Sequence, residues 1–199
     1  MSLFFCVLFV RYNEHMENEN RRTEGFAERE IRIFELFHRK WALVAAGNAD
    51  GFNACTVSWG SLGTLWTREN KSGNTVTVYI HPSRYTCSFL KECEHFTVSF
   101  FPEECRQALQ YMGSHSGRDE DKTKNAGLHV LPLKESVMFA EAEVTLYCRK
   151  IYQHPFAKEG IAEDVREYYR DNPKAYPVDE AGEWQPHWVF VGEILEIRE

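Results

Sequence analysis

Residues 41–59 constrain the fold more tightly than any other stretch of this chain. W-A-L-V-A-A from Trp41 is a short apolar run, bounded by Gly47-Asn48 and Asp50-Gly51, residue types that reverse a chain. Phe52 to Trp59 follows at once, with Ala54, Thr56 and Ser58 alternating against Asn53, Cys55, Val57 and Trp59, the period of a strand. A buried strand, a tight turn and a partner strand make an antiparallel hairpin.

The rest of the chain extends that pattern. Strands are predicted over Thr75 to Ile80, Phe96 to Phe101, within Val137 to Tyr152, and over Trp188 to Ile197. A polar turn is predicted over Glu69 to Asn74, and a helical turn over Asp119 to Asn125, closed by Gly127. Helices are predicted from Glu28 to His38, from an N-cap at Ser83 to Lys91, over Glu103 to Met112 and over Ala162 to Arg170. Five or six strands with interleaved short helices, and no regular β-α-β alternation, predict a mainly β fold with helices: an antiparallel barrel with helical insertions rather than a doubly wound sheet.

At 199 residues, 43% hydrophobic and 27% charged, the chain suffices for one domain with a sizeable core. A formal net charge of -7, with no basic cluster longer than a pair such as Arg21-Arg22, argues against nucleic acid, which needs clustered Lys and Arg. Cys6, Cys55, Cys87, Cys93, Cys105 and Cys148 form no C-x-x-C and show no zinc-ligand spacing. They read as small core residues of a protein in a reducing, cytoplasmic setting. Leu3 to Val10 is wholly apolar, yet too short to span a bilayer, and it lacks a preceding positive residue and a following cleavage site. It reads as a frayed extension, a docked terminal strand or a start misplaced upstream of Met16, with no membrane partner. Residues 1–27 are expected to be an extension and 28–199 the domain.

Three stretches carry candidate chemistry. Asn53 to Gly60 holds small hydroxyl residues where β propensity favours Val or Ile; it is either a half-exposed strand or a wall that lets a planar ligand approach the backbone. His81-Pro82-Ser83-Arg84-Tyr85-Thr86 sits at a strand-to-helix junction and reads as a capped helix or as a phosphate cradle. In Ser114 to Lys122, Gly117 permits a tight turn, and Ser116, Arg118 and Lys122 offer donors to an anion; the competing reading is a solvated loop with Asp119 paired to Lys122. No H-x-x-x-H, H-E-x-x-H, G-x-S-x-G or G-x-G-x-x-G occurs, so no metal site and no catalytic side chain is assigned. His115, His154 and His187 each read as structural.

Taken in order, these stretches resemble the flavin reductase-like, FMN-binding split-barrel family, in its flavoredoxin-type branch. The residues that carry the likeness are N-A-C-T-V-S-W from Asn53, P-S-R-Y-T from Pro82, F-T-V-S-F-F-P-E-E-C from Phe96, S-G-R-D-E-D-K from Ser116 and A-E-A-E-V-T-L-Y-C-R-K from Ala140. The resemblance implies a homodimeric FMN-binding split β-barrel. It further implies an oxidoreductase that takes electrons from NADH or NADPH and passes them through FMN to an acceptor the sequence does not identify. A flavin-holding electron carrier without nicotinamide activity is the alternative, and a dimeric module that has lost its cofactor is a second. By position, Asn53, Ala54, Thr56, Ser58 and Trp59 match the segment along the isoalloxazine ring. Ser83, Arg84 and Thr86 match phosphate and ribityl contacts, and Ser116 and Lys122 match the loop that reaches the phosphate. His154 matches a later flavin contact. Cys55 stands where the family often has Met.

Overall fold

The computed structural model describes residues 33–68, 71–173 and 177–199. The expectations for Leu3 to Val10, for the charged lead-in that follows and for a helix start at Glu28 lie outside the described residues. A helical turn, α1 (Ile33–Glu35), runs into a π-helical segment, Leu36–Lys40. Nine strands follow among the described residues: β1 (Ala42–Asn48), β2 (Gly51–Val57), β3 (Gly60–Arg68), β4 (Lys71–Ile80), β5 (His95–Phe100), β6 (Val130–Leu133), β7 (Ser136–Phe139), β8 (Val144–Pro155) and β9 (Trp188–Arg198). The helices between them are α2 (Tyr85–Glu92), α3 (Arg106–Ser114), α4 (Lys122–Asn125) and α5 (Glu163–Arg170).

Seven strands form one antiparallel sheet in the order β2-β1-β5-β8-β9-β4-β3, and β6 and β7 form a separate hairpin. Strands β2 and β3 occupy opposite edges of the large sheet, yet only Ser58 and Trp59 separate them in the chain. Laid flat, seven strands would hold those edges about 29 Å apart, whereas the three Cα steps from Val57 to Gly60 reach at most about 11 Å. The sheet must therefore curl until its edges meet. The result is a barrel split between β2 and β3, with Ser58-Trp59 at the lip of the split. Register shifts in β8, between Tyr147 and Cys148 and between Lys150 and Tyr152, add the local bend that such curling needs.

The position of β1 between two cores explains its unbroken apolar run. Ala42, Val44 and Ala46 face the barrel core with Val76, Val78, Phe96, Val98, Leu146 and Phe190. Leu43 and Ala45 face a second core, formed with Ala54, Leu109, Met112, Val137 and Phe139 under α3 and the β6–β7 hairpin. A strand covered on both faces has no polar side to alternate with. The hydroxyls of β5 follow the same rule: Thr97 and Ser99 point out of the barrel yet are buried, with Thr97 Oγ1 donating to the Val137 carbonyl (2.7 Å) and Ser99 Oγ lying 2.9 Å from Thr145 Oγ1.

Four local expectations are corrected. Strand β3 was not foreseen: it is an edge strand, mostly exposed along its length, so it has little apolar alternation to read. The predicted turn at Glu69 to Asn74 is shorter, because β4 already begins at Lys71 and pairs with β3 from there. The long strand expected within Val137 to Tyr152 is β8, which starts only at Val144, and the residues before it form a separate short strand, β7, across a turn. Ser83 does not cap α2: Arg84 holds the N-cap position, and the Ser83 hydroxyl lies 2.8 Å from His81 Nδ1.

Candidate functional site

A cleft of ≈ 430 Å³ opens at the split, within the range of small-ligand sites. One wall is the end of β2 and its exit, Cys55 to Trp59; the other is Tyr79 to His81 with Ser83 and Arg84; His187 and Pro177 close the far side. The antiparallel alternation of β2 decides what each residue offers. Cys55 and Val57 belong to the barrel core. Thr56 turns the other way and donates its hydroxyl to the Leu109 carbonyl on α3 at 2.6 Å, which leaves that oxygen able to accept from a ligand. Asn53 and Ala54 are buried and do not line the cleft.

Behind that wall lies a polar network. Thr86, the second residue of α2, donates to Asn53 Oδ1 at 2.7 Å, and both side chains are buried. Gly117 packs directly on the Asn53 carboxamide, and a Cβ there would collide with Asn53 Nδ2. That contact gives this glycine its purpose: only a residue without a side chain lets the Ser114–Lys122 loop close on β2.

The loop brings positive charge with it. Lys122, 5% exposed, donates through Nζ to the carbonyls of Met112 (3.1 Å) and His115 (3.2 Å). Arg84 Nη1 donates to the Gly113 carbonyl at 2.8 Å. These carbonyls lie at the C-terminal end of α3, which carries unpaired acceptors and partial negative charge. The helix end thereby collects two cations that would otherwise repel. A third, Arg118, reaches the Ser83 carbonyl (3.3 Å) and lies over the Tyr85 ring. Burial lowers the pKa of Lys122, and Arg84 lowers it further. Burial raises that of the Cys55 thiol, which keeps it neutral, against the opposing pull of Thr86, Lys122 and Arg84. Ser116 shapes the loop, its hydroxyl accepting from the Arg118 amide at 3.2 Å. The pairing of Asp119 with Lys122 considered from sequence gives way to these carbonyl contacts.

The opposite end is aromatic. Trp59, 40% exposed, lies 4.6 Å from the His187 ring and 6.4 Å edge-on to Tyr169, which stacks on Trp184 at 5.7 Å. His187 also meets His81 at 5.1 Å. Burial, then His81, then Arg84, push the His187 pKa down to about 4. Burial likewise lowers that of His81. The Ser83 amide N–H approaches His81 Nδ1 at 3.2 Å. That nitrogen is thus an acceptor, so the neutral ring carries its proton on Nε2. Two neutral imidazoles therefore face a cleft whose other end is cationic.

Over residues 34–199 the sequence matches the family described as Flavin reductase like domain. The chain belongs to that family. Its fold is shared with flavoredoxin from Methanosarcina acetivorans, at 20% identity over 80% of this chain and 68% of that one, with a TM-score of 0.57. It is shared as well with an FMN-binding protein from Thermus thermophilus solved with 1-cyclohex-2-enone (19% identity, 86% and 77% covered, TM-score 0.56). A third likeness is to an NADH:FAD oxidoreductase from Streptomyces globisporus (14% identity, 80% and 75% covered, TM-score 0.53). No curated protein matches by sequence.

Within this flavin reductase-like domain the three stretches singled out in the sequence do converge. Thr56, Ser58, Trp59, Ser83 and Arg84 line the cleft. Asn53, Thr86, Ser116 and Lys122 stand behind it, and Ala54 is core packing. His154 is not brought in: it sits exposed on β8, its ring 2.6 Å from the Pro155 carbonyl, and it does not line the cleft. His187 takes a place that sequence reasoning missed. It directly precedes Trp188, the first residue of β9, but a lone histidine carries no local signal. Among the described residues no group of three or more His, Cys, Asp or Glu side chains is placed to hold a metal ion, and no helix is long and apolar enough to cross a membrane.

Proposed function

We propose that this chain is an FMN-binding oxidoreductase that accepts electrons from NADH or NADPH and delivers them to a separate acceptor. The observation that carries the reading is Arg84 on the lining of a ligand-sized cleft, with Arg118 and Lys122 gathered behind it on neighbouring backbone carbonyls, in a chain of net charge -7. A phosphate monoester brings close to two negative charges and three acceptor oxygens, which this donor set fits. The planar remainder fits the other end, where small residues of β2 expose backbone and Trp59 supplies a flat wall.

FMN, when bound, supplies the electron-transfer chemistry, so the chain needs no nucleophile or metal of its own. Its residues bind and orient. Arg84, Arg118 and Ser83 would hold the phosphate end, Lys122 would add charge from behind, and Cys55 to Ser58 would present backbone groups to the ring edge. The Trp59–His187–Tyr169 cluster excludes water from the ring side, and neutral His81 and His187 add no charge there. We further propose a homodimer, in which a second copy covers the exposed rings of Trp66 and Tyr152, 6.5 Å apart on one surface. The free cysteines, three of them buried, suit a reducing cytoplasmic compartment.

The test is the visible spectrum of the purified protein. Yellow protein whose flavin band bleaches on anaerobic addition of NADH or NADPH meets the expectation. Colour without bleaching by either nucleotide removes the nicotinamide step and leaves an electron carrier. Colourless protein that fails to take up added FMN overturns the whole reading.

A further inference from the structure

Beside the cleft lies a second hollow, of ≈ 440 Å³. The two share Ser58, Trp59 and Tyr79 as a common wall, but their chemistry is opposite. The second is bounded by Phe34, Phe37, His38, Trp59, Tyr79 and Phe156, and no Asp, Glu, Lys or Arg among the described residues lines it.

Its walls are set before any ligand arrives. Phe37 is 3% exposed and meets Phe100 edge-on at 5.5 Å within the barrel core. Gly60 lies flush against that ring, where a Cβ would come within 2.6 Å of Phe37 Cζ, so the missing side chain lets Phe37 form the floor. Across the hollow, Tyr79 and Phe156 stack at 5.7 Å with 20° between their planes. Flat aromatic walls without Asp, Glu, Lys or Arg favour a flat, uncharged ligand: an anion meets no lysine or arginine, and an aliphatic chain gains no ring stacking.

We propose that this hollow binds a small planar, uncharged aromatic molecule of one or two fused rings. Its position directly across the Ser58–Trp59–Tyr79 wall from a flavin rests on the FMN reading; the binding itself does not. A small molecule is the fitting occupant because the space is of small-ligand size and its floor, Phe37, is recessed into the core.

The probe is 2-naphthol, titrated calorimetrically into FMN-loaded and FMN-free protein, with 2-naphthalenesulfonate as its charged counterpart. Wild type is expected to bind naphthol saturably. Phe156→Ala is expected to weaken naphthol binding about tenfold by removing one stacking wall, and Ser61→Trp to abolish it by filling the hollow. Both variants should hold FMN within about twofold of wild type, since neither residue lines the cleft. The sulfonate should bind the FMN-loaded protein at least about tenfold more weakly than naphthol, for want of a cationic partner. Absence of naphthol binding in wild type, or equal binding in both variants, overturns the proposal. So does a sedimentation result in which these substitutions split a dimer while naphthol does not bind, because the hollow is then a subunit contact. If wild type takes up no FMN, the cofactor reading falls, and the naphthol result on the FMN-free protein still decides this one.

Discussion

At one end of the cleft Arg84, Arg118 and Lys122 hang from backbone carbonyls, two of them through the C-terminal end of α3. At the other, Trp59 is held by rings alone, those of His187 and Tyr169. The first arrangement is directional and charged, fastened to regular backbone that cannot shift without breaking a helix end. The second is non-directional and comes from the long connection between β8 and β9, which contributes α5, Trp184 and His187. Changes at the cationic end should therefore act on ligand affinity through charge. Changes at the aromatic end should act through solvation and protonation.

The sharpest way to break this comparison is Lys122→Met, which keeps most of the buried stem and removes the charge. Losing that charge from behind the phosphate should cost about 2–3 kcal/mol, roughly 30- to 150-fold in FMN affinity, read by quenching of flavin fluorescence. Wild-type affinity in a folded variant would place the phosphate elsewhere. Gly117→Ala tests whether the loop must seat on Asn53. The added methyl collides with the carboxamide, and overpacking of that kind should lower stability by about 1–3 kcal/mol, measured by urea denaturation. An unchanged midpoint would show that the loop closes without that contact.

The smallest effect is expected at the aromatic end. The His187 pKa falls from 6.5 to about 4 on folding, so between those values the unfolded chain binds more protons than the folded one. Stability contributed by the neutral ring is complete above pH 6.5 and is lost as pH falls toward 4. His187→Gln should flatten the urea midpoint's dependence on pH across that window, with His81 supplying a residual slope in the same direction. A variant with the wild-type slope would mean that His187 does not titrate in this way.

The cationic end was legible because its parts are local. P-S-R-Y-T puts a guanidinium beside hydroxyls, and S-G-R-D-E-D-K puts cationic donors beside a glycine, each within a few residues, and the free N–H groups of a helix N-terminus suit an anion. The same locality misled at Ser83, where a good capping residue turned instead to His81, a partner only two residues away but positioned by the end of β4. The aromatic end was not legible. Trp59 lies more than a hundred residues before Tyr169, Trp184 and His187, and the four share no period, so no window of the chain contains the cluster.

Strand β1 and its hairpin with β2 were determined by the sequence itself, since an apolar run, a turn and an alternating strand are short-range facts. The identity of each residue on β2 and its exit, including the small ones at Thr56 and Ser58, was likewise plain. Tertiary structure alone decided which of them face a ligand. Closing a seven-stranded sheet over the two-residue link Ser58-Trp59 creates the split. Whether Thr56 serves the cleft or α3 then depends on which side of that split each face falls, and a two-residue period cannot say which side is which.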